Sequence, residues 1–257
     1  MRSQTASDDA VTVAAFRVLA AARADTYGLL RNLYAQKPAS EWVKGLLTGE
    51  VVRSLSRAGH GEFRSAEIVE GLDKLRRCVE GLRRMSAKAA LMRLAVDRTR
   101  LLGGVAPGYG PPFPSESVYR EGRLMGDTTR AVAQSYHKLA VYVPQDSYDP
   151  PDYVAFELDF MRVLCAKEAE AWGSGEVNDA LQLLRREESF LEDHILQWVP
   201  RFCEEVLRET RITDFYRGVA QLTKGFLLQE EGDLKLYLAA ARELVDSKPQ
   251  EAASPGS

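Results

Sequence analysis

Apolar residues recur at three- and four-residue spacing along most of this chain, the period of a helix with one buried face. Val11, Ala15, Val18, Ala22, Leu29 and Leu33 predict a helix from Val11 to about Ala35, with Asp8 or Asp9 available to cap it and Pro38 to stop it. Ser40 opens a second helical segment to about Leu55, carrying Trp42, Val43, Leu46, Leu47 and Val51, and the stretch Gly59–Gly61 ends it. Ile68, Leu72, Leu75, Val79 and Leu82 continue after Ser86 as Ala90, Leu94, Val96 and Leu101. That run predicts one long helix over Ser65–Leu102, or two that abut with Ser86 as a cap. Farther on, Asp127 is expected to cap a helix reaching about Val141, and Asp152 another reaching about Trp172. Three more helices are expected over roughly 176–209, 212–229 and 232–246, with Pro200 breaking or kinking the first of them. The chain shows no long alternating strand pattern, no internal repeat and no heptad run. The expected fold is therefore all-α, a single-domain multi-helix bundle over residues 9–246, flanked by a polar start (1–8) and a small, polar tail (247–257) expected to be disordered.

One segment breaks the helical pattern. Residues 103–119 read GGVAPGYGPPFPSESVY, the heart of a Pro/Gly-rich loop at about 103–122. The prolines at 107, 111, 112 and 114 remove backbone donors, and the glycines at 103, 104, 108 and 110 permit turns, so regular structure is not expected. Long loops in compact domains are commonly binding loops or disordered. Tyr109, Phe113, Val118 and Tyr119 favour binding, because disordered segments are poor in aromatic residues.

Composition narrows the classes. A chain of 257 residues, 45% of them hydrophobic, can build a large core. Its 34 basic and 37 acidic residues nearly cancel, leaving a net charge of -3, so no global field recruits nucleic acid or an anionic membrane. Cys78, Cys165 and Cys203 are odd in number, far apart and set in apolar helical sequence, which reads as buried thiols in a reducing cytoplasm. No apolar run approaches the length of a membrane span, and the first residues lack the pattern of an export signal.

Two constellations could carry chemistry. In DPPDYVAFELDFMRVL, Pro151 and Asp152 lead into a helix expected to be central, on which Tyr153 and Glu157 share a side with Phe160 and Leu164. A carboxylate so placed can hold an arginine, either of a bound peptide or of the chain itself. In FLEDHILQWVPRF, Phe190, His194 and Trp198 fall at four-residue spacing on one face. His194 invites a catalytic reading, although a lone histidine among apolar residues is more often a hydrogen-bonded structural one. None of His60, His137 and His194 stands in a metal-binding spacing, and CxxC is absent, so no metal and no cofactor is expected. The glycine-rich run lacks the Lys-Ser/Thr ending of a phosphate loop, and no GxSxG elbow occurs. The Arg-Arg pairs at 76–77, 83–84 and 185–186 read as solvated or salt-bridged helix faces.

Taken together, LLGG, PGYGPPFPSESVY, a helix carrying Tyr136, PPDYVAFELDFMRVL and FLEDHILQWVPRF resemble the TorD/DmsD (NarJ-like) family of redox-enzyme maturation chaperones, from about Arg98 to Phe202. Pro114, Ser117, Val118 and Tyr119 match the family's proline-plus-Ser-Val-aromatic loop. Pro151 and Asp152 match its Pro-Asp-His turn, Glu157, Leu158 and Met161 the helix after it, and His194 and Trp198 the later motif. Tyr153 stands where the family usually has histidine, keeping an aromatic surface and a hydrogen-bonding tip.

The resemblance implies an all-helical cytoplasmic chaperone with no catalytic centre. Its partner would be the catalytic subunit of a DMSO-reductase-family molybdoenzyme, bound through a twin-arginine signal peptide, the mature part or both until the molybdenum cofactor is inserted. Such a peptide needs an apolar groove with acids near one end. Tyr109, Phe113, Tyr119, Tyr136 and Tyr153 are candidates to line that groove, with Glu116, Asp152 and Glu157 to meet the arginines; its walls would be the Gly103–Tyr119 loop and residues 150–157. Monomer and homodimer are both compatible. The competing readings are a small helical hydrolase or nucleotide-dependent enzyme using His194 and a loop carboxylate, and a helical ligand-sensing transcription regulator. The second lacks a concentrated basic recognition helix.

Overall fold

The computed structural model describes residues 2–58, 65–106, 108–143, 147–209 and 213–247; the Gly59–Gly61 break, His60, Pro107 and the expected tail from 248 onward lie outside them. Among the described residues all regular structure is helical. In chain order the helices are α1 (Arg2–Ala35), α2 (Ser40–Leu47), α3 (Glu50–Ala58), α4 (Ala66–Arg83), α5 (Ala87–Leu102), α6 (Glu116–Glu121), α7 (Asp127–His137), α8 (Val154–Ser174), α9 (Val177–Asp193), α10 (Val199–Arg208) and α11 (Asp214–Ser247), with a 3-10 turn at Ile195–Gln197. The all-α expectation holds. The most extensive pairings run α1 along α8, α11 along α4, and α9 against both α8 and α11.

Local chemistry explains most boundaries. Ser65 and Ser86 cap α4 and α5, each hydroxyl accepting an N–H from three residues ahead, Ile68 at 3.4 Å and Ala89 at 3.2 Å. The segment expected as one helix over 40–55 is two, because Gly49 takes a left-handed conformation with φ 78° between α2 and α3. Helix α7 stops at His137, short of Val141. Ala140 turns left-handed, and the Val141 N–H reaches back to the Tyr136 carbonyl at 3.0 Å, closing a Schellman-type end. Asp127 does not cap that helix: its N–H and that of Thr128 donate to the Glu121 carboxylate at 3.1 and 2.7 Å. The break at Pro200 is as expected, with the proline in the first turn of α10, where a missing N–H costs nothing. The two helices expected over 212–229 and 232–246 are one. Gly232 keeps its backbone donor, and buried Leu227, Glu230, Leu234, Leu238 and Ala241 hold helical spacing through it.

At the centre, one guanidinium joins four helices. Arg23 of α1 donates from Nη1 to Glu168 of α8 at 2.9 Å, from Nε to Glu230 of α11 at 2.6 Å, and from Nη2 to Glu187 of α9. All four side chains are buried. The other Glu168 oxygen accepts the Trp172 indole N–H at 2.7 Å, and that ring stacks on Phe16 at 4.7 Å. The cysteines are unpaired as expected, and burial raises the thiols of Cys78 and Cys203 to about 11 and about 12.

Three carboxyls against one buried cation cannot all ionise cheaply. Burial raises the pKa of each, that of Glu168 to about 8. The folded chain therefore keeps a proton that the unfolded chain releases above 4.5, the ordinary value. This stabilising contribution is complete below that value and is lost as pH rises toward 8. Glu168→Gln removes the titration, so between about pH 5 and 8 its stability should fall less steeply than the wild type's, by up to ~1.4 kcal/mol per pH unit. Denaturant titrations of both proteins across that range measure the difference, and parallel slopes would place the proton elsewhere.

Candidate functional site: a buried carboxylate network and the cleft beside it

The Pro/Gly segment folds back on the end of α5, which its glycines allow. A side chain at Gly104, where φ is 54°, would meet Phe113 within 3 Å, and one at Gly110 would lie 2.1 Å from the Arg100 carbonyl. Tyr109 is exposed, its ring 5.3 Å from the Arg100 guanidinium carbon. The segment then enters α6, a helix that proline-rich composition concealed.

Residues 114–117 pair with the strand-like approach to α8. The Val154 N–H donates to the Pro114 carbonyl at 3.0 Å and the Glu116 N–H to the Asp152 carbonyl at 3.0 Å, around an antiparallel Ser115–Tyr153 bridge. Asp152 caps α6 across the chain rather than its own α8, accepting the Ser117 N–H at 2.7 Å and the Ser115 hydroxyl at 2.6 Å on Oδ2. Tyr153 occupies the α8 cap position without a side-chain bond there; its hydroxyl donates to the Tyr34 carbonyl at 3.0 Å, and Phe113 stacks on its ring at 5.5 Å. The Tyr136 hydroxyl, on α7, donates to the Pro151 carbonyl at 2.9 Å.

Glu116 and Glu157 extend the network. Glu116, with no exposed surface, takes Arg120 on one oxygen and His194 Nδ1 at 2.9 Å on the other. Arg120 also reaches the Asp193 carbonyl at 3.2 Å, tying α6 to the end of α9. The Trp198 indole N–H donates to Glu157 Oε2 at 3.0 Å. Burial, then repulsion from Glu116, pushes the Glu157 carboxyl well above the usual range. The Tyr119 hydroxyl donates to Glu205 of α10 at 2.9 Å, its ring 5.4 Å from that of Trp198.

Most of the residues singled out in the sequence are thus brought together, but as internal structure. Glu116, Asp152 and Glu157, expected to meet a peptide's arginines, have no exposed surface. The Gly103–Tyr119 loop and residues 150–157, expected to face each other across a groove, are hydrogen-bonded to each other. The cleft beside the loop is lined by a different set of residues. It holds about 730 Å³ between Gly104–Phe113 and a wall of Val118, Leu124, Glu205, Arg208 and Glu209. Of the candidate site residues, Phe113 alone lines it. The acids of this wall went unread in the sequence: Glu205 lies on the polar side of α10, opposite Phe202, Cys203 and Val206, and Glu209 follows the helix's last residue in extended conformation. Among the described residues, no three His, Cys, Asp or Glu side chains are placed to hold a metal, and no helix is long and apolar enough to cross a membrane.

A family model described as nitrate reductase delta subunit matches residues 66–204, which take in α4 through the first half of α10 and hence the loop and its network. The chain is 25% identical over 221 residues to a protein of Vibrio cholerae named chaperone protein TorD, covering 84% of this chain and 93% of that one. Proteins of the same name from Vibrio atlanticus (24% identical, 79% and 90% covered) and Vibrio vulnificus (22% identical, 80% and 91% covered) are similar over comparable lengths.

Asp152→Ala would strand the Ser117 N–H and the Ser115 hydroxyl in a buried place. It should cost about 2–4 kcal/mol of stability in chemical denaturation, with Asp152→Asn costing less. A neutral alanine variant would mean that α6 is not held by this carboxylate.

Proposed function

The chain belongs to the nitrate reductase delta subunit family, the TorD/NarJ group of chaperones, and we propose that it is a system-specific chaperone, not an enzyme, for the catalytic subunit of a molybdopterin-dependent oxidoreductase. It acts in the cytoplasm. It binds the precursor, by its twin-arginine signal peptide, its mature part or both, while the molybdenum cofactor is inserted, and holds back export until then.

The observation that carries this reading is the cleft beside the loop. A wall of glycine and proline lets a peptide backbone approach closely, and Val118, Phe113 and Leu124 offer apolar surface for an extended or helical segment. Glu205 and Glu209 stand at its edge, each in a partly exposed ion pair, with Arg201 and Arg100. Such pairs are worth little, so an incoming arginine can replace the resident partner at small cost. The network that fastens the loop keeps this wall in place, which lowers the ordering cost of binding. The enzyme alternative is less well supported: His194 does meet a loop carboxylate, Glu116, but that carboxylate has no exposed surface, and the Ser115 hydroxyl bonds to Asp152 and not to the imidazole.

Leu124→Asp places a charge on the exposed apolar edge without touching the core. It should weaken capture of the co-expressed precursor, and binding of its amino-terminal peptide in fluorescence anisotropy, by about tenfold or more with an unchanged thermal melt. Undiminished binding by Leu124→Asp and Glu205→Lys alike would place client recognition on another face.

A further inference from the structure

The junction of α2, α3 and α4 forms a second cleft, of about 470 Å³, lined by Gly49, Val52, Arg53, Arg76, Val79, Glu80 and Arg83. Two guanidinium groups converge there on a bare α-carbon: a side chain at Gly49 would meet Arg83 Nη2 at 2.6 Å and Arg53 Nη1 at 3.5 Å. Each is anchored to the end of α2 by one bond, Arg83 Nε to the Leu47 carbonyl at 2.5 Å and Arg53 Nη1 to the Thr48 carbonyl at 3.1 Å. Those carbonyls orient the two groups and, as the negative end of a helix, offset part of their mutual repulsion. They use one donor of the five that each guanidinium carries. Among the described residues neither arginine has a carboxylate partner, and the third, Arg76, is paired with Asp73 at 3.1 Å. Glu80 is the one acid in the lining.

We infer that this cleft is an anion site for a small phosphate-bearing ligand, gripped by Arg53 and Arg83. Paired, pre-oriented guanidinium forks match the geometry of phosphate oxygens, and their spare donors are what a dianion requires. Gly49 serves the site twice, since its φ of 78° turns the chain and its missing side chain leaves room where the two forks meet. The cleft shares no lining residue with the one beside the Pro/Gly loop, so it stands independently of client binding.

Calorimetric titration of the full chain with inorganic pyrophosphate at low salt tests this. Binding is expected, weakening steeply as salt is raised, and the double variant Arg53→Gln/Arg83→Gln should lose at least tenfold in affinity with its melting temperature unchanged, because both side chains are exposed. The control Arg185→Gln/Arg186→Gln, which removes the same charge elsewhere, should bind as the wild type does. Absence of pyrophosphate binding, equal binding by the cleft variant, or equal loss in the control would overturn the assignment.

Discussion

The fold turns on one guanidinium. Arg23 sits where α1, α8, α9 and α11 meet and binds a carboxylate from each of the other three, with a tryptophan indole completing the shell of Glu168. Hydrophobic contact is non-directional and would tolerate these helices sliding or turning against one another. A planar fork with three carboxylates does not, because any shift leaves a buried charge without its partner, at a cost of about 3–5 kcal/mol. The cluster therefore sets the register of the bundle more than it adds to stability, and it does so with a proton retained among its acids.

A second buried polar network hangs from the same helix. Glu157 and Glu168 are eleven residues apart on α8, three turns, so they point from one stripe of the helix about 16 Å from each other. Glu168 holds the bundle, while Glu157 meets Trp198 beside the carboxylates that fasten α6. This gives the Pro/Gly loop a rigid anchor through Ser115, Ser117 and Asp152 and leaves Gly104–Phe113 to form a cleft wall. The residues that most resemble the family's motifs are thus those that hold the loop, and the surface they present is made largely by others.

Much of the element pattern was legible, and its failures have local causes. Serine caps at Ser65 and Ser86 act through N–H groups three residues away, so reading them needs no tertiary knowledge. Asp152 and Asp127 looked equally good as caps, yet Asp152 serves α6 and Glu121 takes the place intended for Asp127, since a carboxylate binds whichever free N–H the fold brings nearest. Gly49 broke a helix and Gly232 did not. The difference lies in a left-handed φ at the first and continuous burial through the second, and neither follows from the glycine itself.

What the sequence alone determined is the all-helical class, most helix positions, the burial of Cys165 and Cys203 but not that of the half-buried Cys78, and the chaperone family, because these rest on period, capping and ordered motifs, all local along the chain. What only the tertiary structure decided is which charges are buried and which face a ligand. Glu116, Asp152 and Glu157 read as plausible peptide-binding acids, whereas Arg23, Glu187 and Glu230 carried no signal at all, since nothing in the local sequence separates them from the solvent-facing charges of the same helices. Ionisable side chains take their roles from neighbours far off in sequence and from the loss of water around them, and neither is written in spacing.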